Sequence, residues 1–387
     1  MLLTIALFLV ILGLTIFVHE FGHFSAAKKM KMGVEEFGFG FPPRIVGIQR
    51  LNQPLSGNST SKRSAWRIIK GRKTPEDEHR STIYSLNWIP IGGFVKIKGE
   101  QGDQPNAQDS FSSKKIWKRA VVLSAGVGMN FILAYVIISI GFWIGIPSIL
   151  DSSLSGSATV SNERLQVLEV SANSPAEAAG IEMGDTIVSL DGKSFSTTDQ
   201  LSAYTAEHLG EEITVIVSRS GEEITYSIAP ADLEGKGIGQ IGIGSIEVGN
   251  VSYPWYAAIW MGAKTTVSIT VQIIIAFYEI IKNLVITQQA GVDIAGPVGI
   301  AVMTGQVAKL GFIYILQFIA LLSINLGIIN FLPFPALDGG RVLFLAIEKL
   351  RGKAMNQKTE AAIHNIGFLI LIFIVLLVTF KDILRLF

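Results

Sequence analysis

Long apolar runs separated by polar stretches dominate the pattern along this chain. A bilayer's hydrocarbon core takes about 20 apolar residues of helix. Four runs are of that order: residues 2–26, 120–147, 311–332 and 363–380. A fifth stretch, Tyr256 to Ile281, is interrupted by Lys264, Gln272 and Glu279, with Lys282 just beyond. That interruption predicts an amphipathic helix lying in the membrane interface rather than a crossing. Other segments have a different rhythm. Ile91 to Lys98 is rich in β-formers. Gln53 to His79 is polar and basic and predicts a flexible insertion. The fold class that follows is a polytopic α-helical membrane protein with four transmembrane helices and β-rich regions between them.

Composition agrees. Of 387 residues, 49% are hydrophobic and 16% charged, with a mean hydropathy of +0.45. That is too apolar for an ordinary soluble enzyme. A net charge of +1 argues against a nucleic-acid partner. There is no cysteine, so any metal must be held by His, Asp or Glu. Leu2 to Val18 lacks the basic start and small-residue cleavage site of a signal peptide and is expected to be retained. The loops differ in sign. Lys28 to Arg119 carries 18 Lys/Arg against 8 Asp/Glu, and Pro147 to Ala308 carries 6 against 18. Arg341, Lys349, Arg351, Lys353 and Lys358 fall between the third and fourth spans. The positive-inside rule therefore puts the first and third loops in the cytosol and the second loop, with both termini, outside.

The candidate chemistry begins where the first run ends, at His19-Glu20-Phe21-Gly22-His23. Ionisable residues at membrane depth are costly and point to function. On a helix, His19 and His23 share one face. Two imidazoles so placed can bind zinc, and the Glu between them can act as general base on the zinc-bound water. A catalytic zinc usually has three protein ligands. The third is sought at Asn330-Phe331-Leu332-Pro333-Phe334-Pro335-Ala336-Leu337-Asp338-Gly339-Gly340, where two prolines break a helix at membrane depth. Topology puts this break on the same side as His19 and His23, which makes Asp338 the candidate. His79, His208 and His364 are expected to be structural or solvated.

These motifs resemble the site-2 protease family of intramembrane zinc metalloproteases, and within it the RseP-type bacterial group. Smaller matches are Phe37-Gly38-Phe39-Gly40-Phe41-Pro42, Ile91-Gly92-Gly93-Phe94-Val95-Lys96 and Gly296-Pro297-Val298-Gly299-Ile300. The resemblance makes His19, His23 and Asp338 the zinc ligands and Glu20 the base. It gives Asn330 the substrate backbone or the developing oxyanion, where the alternative is an interhelical hydrogen bond; Asn325 is assigned to such a bond. It makes residues 31–119 a cytosolic, membrane-associated β-hairpin region to whose edge a substrate can add. Residues 160–245 resemble one extracytoplasmic PDZ domain, through Val167-Leu-Glu-Val-Ser171, Ser174-Pro-Ala-Glu-Ala-Ala-Gly180 and Gly184-Asp185-Thr-Ile-Val-Ser-Leu-Asp-Gly192. A helix from Thr197 to His208 then follows, with strands near Ile213–Ser218 and Ile224–Ile228. That domain either senses a substrate's outer remnant or blocks bulky substrates by size. The remaining divisions are 1–30 and 120–147 as the first two spans, 250–308 as an interfacial helical region, 309–340 as the third span, 341–362 as a cytosolic loop and 363–387 as the fourth span. One departure stands out. The family's Ala-Gly-Pro ahead of Asn-Phe is here Ala125-Gly126-Val127-Gly128-Met129-Asn130-Phe131, which affects helix shape rather than ligands.

The function implied is regulated intramembrane proteolysis in the bacterial inner membrane. The expected partners are lipid, single-span substrates such as anti-sigma factors or remnant signal peptides, and a site-1-type protease that cuts first. A catalytically inactive PDZ scaffold predicts loss of Glu20 or a ligand, and all are present. A zinc transporter needs polar ligands at several depths, and they occur near one.

Overall fold

The computed structural model describes residues 2–54, 62–70, 81–100, 107–150, 156–219, 221–233, 239–287, 296–353 and 355–384. In chain order come α1 (Leu2–Lys29), β1 (Val34–Pro54), β2 (Lys62–Lys70), β3 (Ile83–Ile97), α2 (Ile116–Ile144), β4 (Ile146–Ile149) and β5 (Thr159–Val170). Then follow α3 (Pro175–Ala179), β6 (Thr186–Leu190), α4 (Thr198–Glu207), β7 (Ile213–Arg219), β8 (Glu222–Ile228) and β9 (Ile243–Ser252). The chain ends with α5 (Trp255–Thr287), α6 (Pro297–Leu310), α7 (Phe312–Phe331), α8 (Asp338–Arg351) and α9 (Gln357–Leu384). Two compact units form. One takes the described residues of Met1–Ile138, Lys264–Ala308 and Ile315–Phe387; the other takes Ser139–Ala263 and Lys309–Tyr314.

Five described helices are long and apolar enough to cross a membrane: α1, α2, Trp255–Asn283 of α5, α7, and Lys358–Leu384 of α9. Four occupy the expected runs. The other is the stretch expected to lie in the interface.

In the first unit, α1, α2 and α7 pack through Ile11, Phe318 and Ile319, with Leu133 and Ile137 against them. The sheet beside them has the order β2-β1-β3 and is antiparallel. One of its faces is apolar and exposed. Ile48 faces both Ile68 and Tyr84 across the strands, and these side chains, with Trp66, Leu86 and Trp88, are exposed. Gln49, Ser85 and Asn87 are buried on the opposite face. Two expectations are corrected here. Lys62–Lys70, within the stretch read as a flexible insertion, pairs with β1 from Val46 to Pro54. Residues 338–351 form α8 where a loop was expected from 341. Its first turn carries Asp338 and its last Lys349 and Arg351, which suits the helix dipole. His79 lies outside the described residues.

The second unit carries a six-stranded sheet, β4-β9-β5-β6-β7-β8. Ile213, Val215 and Val217 alternate into its core beside Leu165, Val167, Ile187 and Leu190, the period-two pattern of a half-buried strand. Ser174 caps α3 by accepting from Glu177 N–H, and Thr197 caps α4 by accepting from Gln200 N–H. Arg219 Nε and Nη2 each donate to Asp185 at 2.7 Å. Those hydrogen bonds push the Arg219 pKa still further up. His208 is structural, with Nδ1 2.7 Å from the Tyr204 carbonyl oxygen.

Candidate metal centre

The candidate site is built in the first unit by three helices. His19 and His23 are one turn apart on α1 and are 5% and 6% exposed. Asp338 opens α8. Its Oδ2 lies 2.9 Å from His19 Nε2 and 3.1 Å from His23 Nε2, and the two Nε2 atoms are 3.1 Å apart. The sequence placed Asp338 here across 315 positions, and the fold brings it to the pair.

The donor chemistry fits a cation. His23 Nδ1 lies 2.8 Å from the Val122 carbonyl oxygen. A carbonyl only accepts, so Nδ1 carries the proton and Nε2 presents a lone pair. The Asn130 amide lies 3.2 Å from His19 Nδ1. A His19 that offers Nε2 to an ion keeps its proton on Nδ1, and Asn130 Oδ1, buried without a partner, is the acceptor that can turn to it. With both rings protonated on Nδ1, the two Nε2 lone pairs and the Asp338 carboxylate would converge on one point, a donor set that a cation satisfies. The residues fit a zinc ion on this ground.

Helix α2 forms the back of the site. Val122, Gly126 and Asn130 are each four apart and so share one face. A Cβ on Gly126 would fall on His23 Nε2 and lie 2.7 Å from His19 Nε2. Glu20 stands apart from the three ligand atoms; its Oε2 accepts from Val95 N–H of β3 at 3.1 Å. Asn330 is partly buried at the end of α7, and among the described residues none of the three ligand side chains hydrogen bonds it. Asn325 corrects its expectation. It donates to Leu321 O on its own helix at 3.1 Å. Sequence reading mentioned Asn130 only for its motif; the signal available was its place one and two turns beyond Gly126 and Val122.

Asn130→Ala is expected to lower metal affinity about 10- to 100-fold, the usual cost of losing a group that orients a ligating imidazole. Metal retained by the purified protein against graded chelator measures it. An unchanged affinity would remove Asn130 from this role.

With that geometry in hand, the comparisons with known proteins are direct. The model of peptidase family M50 matches residues 7–54 and 60–374. The chain belongs to that family, the site-2 proteases, and is an intramembrane metalloprotease. A candidate zinc metalloprotease of Fusobacterium nucleatum is 31% identical over 388 residues, 100% of each chain. The regulator of sigma-W protease RasP of Bacillus subtilis is 29% identical over 472 residues, covering 99% of this chain and 99% of its own. The zinc metalloprotease RasP of Oceanobacillus iheyensis is 30% identical over 450 residues, again 99% of both.

Proposed function

We propose that the chain hydrolyses peptide bonds inside the transmembrane segment of single-span membrane proteins after a first cut outside. His19, His23 and Asp338 hold zinc and Glu20 is the general base. The observation that carries this reading is the convergence of ligand atoms from His19, His23 and Asp338 beside a carboxylate that is not one of them. Bound there, zinc supplies the Lewis acidity that lowers the pKa of a water and polarises the scissile carbonyl. Glu20 takes the proton of the attacking water and returns it to the leaving amine. Asn330, by its place in the motif, donates its side-chain N–H to the substrate's carbonyl oxygen. The Gly93–Ile97 end of β3 pairs with β1 on one side, and its Val95 N–H reaches Glu20. A substrate segment unwound from its helix and added on the other side passes beside the base. The sheet's exposed apolar face supports a membrane-associated β region, with that face against lipid.

Chain parity supports four crossings. Asp338, just beyond the α7 end, meets His19 and His23 near the α1 end, so α1 and α7 run the same way. α2 returns to the opposite side, where α7 must begin. The chain between them therefore crosses an even number of times. α6 has 14 residues, about 21 Å of helix, against a hydrocarbon core of about 30 Å. α5 alone cannot cross, and it belongs at the interface. The basic first and third loops then face the cytosol of a bacterium, and the second unit lies outside its inner membrane.

The described part of 160–245 is proposed as the PDZ domain, acting by size exclusion. Along β9, Ile246 to Val251 pairs with β5 on one side. On the other, β4 covers Val248 to Val251, Leu150 N–H donates to Glu247 O at 2.8 Å, and Thr198 Oγ1 donates to Ser245 O at 3.4 Å. Little edge is left for an added peptide strand. Membrane-bound anti-sigma factors, in keeping with a relative named regulator of sigma-W protease, and remnant signal peptides fit a site that admits only trimmed ectodomains. A site-1-type protease supplies the first cut.

The test is cleavage of a trimmed single-span protein in membranes, with and without chelator. Cleavage that stops on metal removal and returns with zinc is the expected result. Cleavage indifferent to chelator would defeat the proposal.

A further inference from the structure

Asp338 is reached through a short turn segment in which Phe334 N–H donates to Leu332 O at 2.7 Å and Leu337 N–H to Phe334 O at 3.2 Å, while Ala336 N–H finds its acceptor outside the segment. The chain leaves α7 at Phe331 and passes Pro333 and Pro335. It then takes Ala336 to φ 80°, a left-handed conformation uncommon for a residue with a Cβ. Leu337, at the N-cap of α8, offers no side-chain cap. Of the backbone donors in residues 335–337, Ala336 N–H is the one whose partner lies outside the segment, so an outside contact there bears on the aim of the Asp338 carboxylate.

α9 supplies that contact. His364 Nδ1 accepts the Ala336 N–H at 2.8 Å. Gly367, on the same face one turn later, brings α9 against Pro335, so that a Cβ there would lie 2.6 Å from the Pro335 carbonyl oxygen. The His364 ring also meets Phe344 of α8 edge-on, with ring centroids 5.2 Å apart. His364 thus touches the chain on both sides of Asp338. It bonds to the backbone two residues before and packs on a side chain six residues after.

We infer that His364 is a positioning residue for Asp338. Its Nδ1 lone pair fixes the backbone at Ala336 and so directs the carboxylate to the His19–His23 pair. The role needs an acceptor at one definite point, which explains an imidazole in the apolar run of α9. His364 lines a cavity of about 480 Å³ with Arg341, Glu348 and Glu360. Its Nε2 has no partner among the described residues, so the contact to Ala336 is the hydrogen bond that fixes the ring. This inference rests on the ligand assignment proposed above.

The experiment uses the full chain in detergent and compares His364→Asn, His364→Gln and His364→Leu with wild type and with Asp338→Ala. An Asn amide reaches the place of Nδ1. A Gln amide reaches past it, toward the place of Nε2, and both are polar and of similar bulk. The readouts are zinc retained against graded chelator and cleavage of a single-span substrate. His364→Asn should stay within about threefold of wild type in zinc affinity. His364→Gln and His364→Leu should lose about 10- to 100-fold, as for other groups that orient a ligand, with cleavage falling alongside. A general structural role would not separate Asn from Gln, and equal zinc retention by all three variants overturns the inference. If Asp338→Ala holds zinc as tightly as wild type, the ligand assignment itself falls and takes the inference with it. If Asp338→Ala loses zinc while His364→Gln and His364→Leu keep it, this inference alone fails.

Discussion

Glu20→Gln is expected to reduce cleavage by about a thousandfold and to leave the metal in place. General-base catalysis contributes about 100- to 10,000-fold, and Glu20 is the carboxylate beside the site that is not among its three converging ligand atoms. A Gln at this position keeps the size of the side chain. Its amide oxygen can still accept the Val95 N–H, which lies 3.1 Å from Glu20 Oε2. What it loses is the capacity to take and return a proton. The two readouts are the rate on a trimmed single-span substrate and the zinc bound per chain. A variant that cuts within tenfold of wild type would rule out Glu20 as the base. One that loses its zinc would make Glu20 a ligand instead.

Gly126→Ala should abolish both zinc binding and cleavage, with an affinity loss of more than about 100-fold. The added methyl falls on His23 Nε2 and close to His19 Nε2. Neither ring can swing away freely, because Val122 O holds one and Asn130 the other. The helix cannot easily retreat either. On the α1 side, a Cβ on Gly22 would meet the Ala125 carbonyl. Gly128 is the control. A Cβ there meets nothing within 4 Å. Replacing an interior helical Gly by Ala favours the helix by up to about 1 kcal/mol. Gly128→Ala should therefore keep zinc and melt no lower than wild type. Zinc content and thermal unfolding of the two variants, side by side, decide the matter. Equal zinc in both would refute the steric account.

Several parts of this architecture are written plainly in the sequence. The His-Glu-His spacing implies one helical face. The two prolines imply a break, and the charge of the loops puts that break beside the face. The alternation of Ile213, Val215 and Val217 implies a half-buried strand. Other parts are hidden for physical reasons. β2 carries Trp66 and Ile68 on the exposed side and buries only Ile69 among its large apolar residues, and its basic flanks disguise it as a solvated insertion. α8 starts at Asp-Gly-Gly, which reads as a turn until the helix that follows is seen. Asn325 satisfies itself within α7, which a sequence cannot distinguish from a bond to a neighbour. The roles of Val122 and Val95 belong to backbone groups, so no side-chain type advertises them. His364 looked structural, and it is, but its partner lies 28 positions away, beyond any local pattern.

The separation of the ligands also bears on how the protein is made. His23 and Asp338 are 315 positions apart. A ribosome that has delivered α1, the β region and the second unit has made a chain with two of the three proposed ligands and no α8. The chain acquires the means to cut only when the last helices arrive, and α9, which grips residues 335 and 336, has to follow before the carboxylate is held. On the proposed ligand set, the order of synthesis completes the site last.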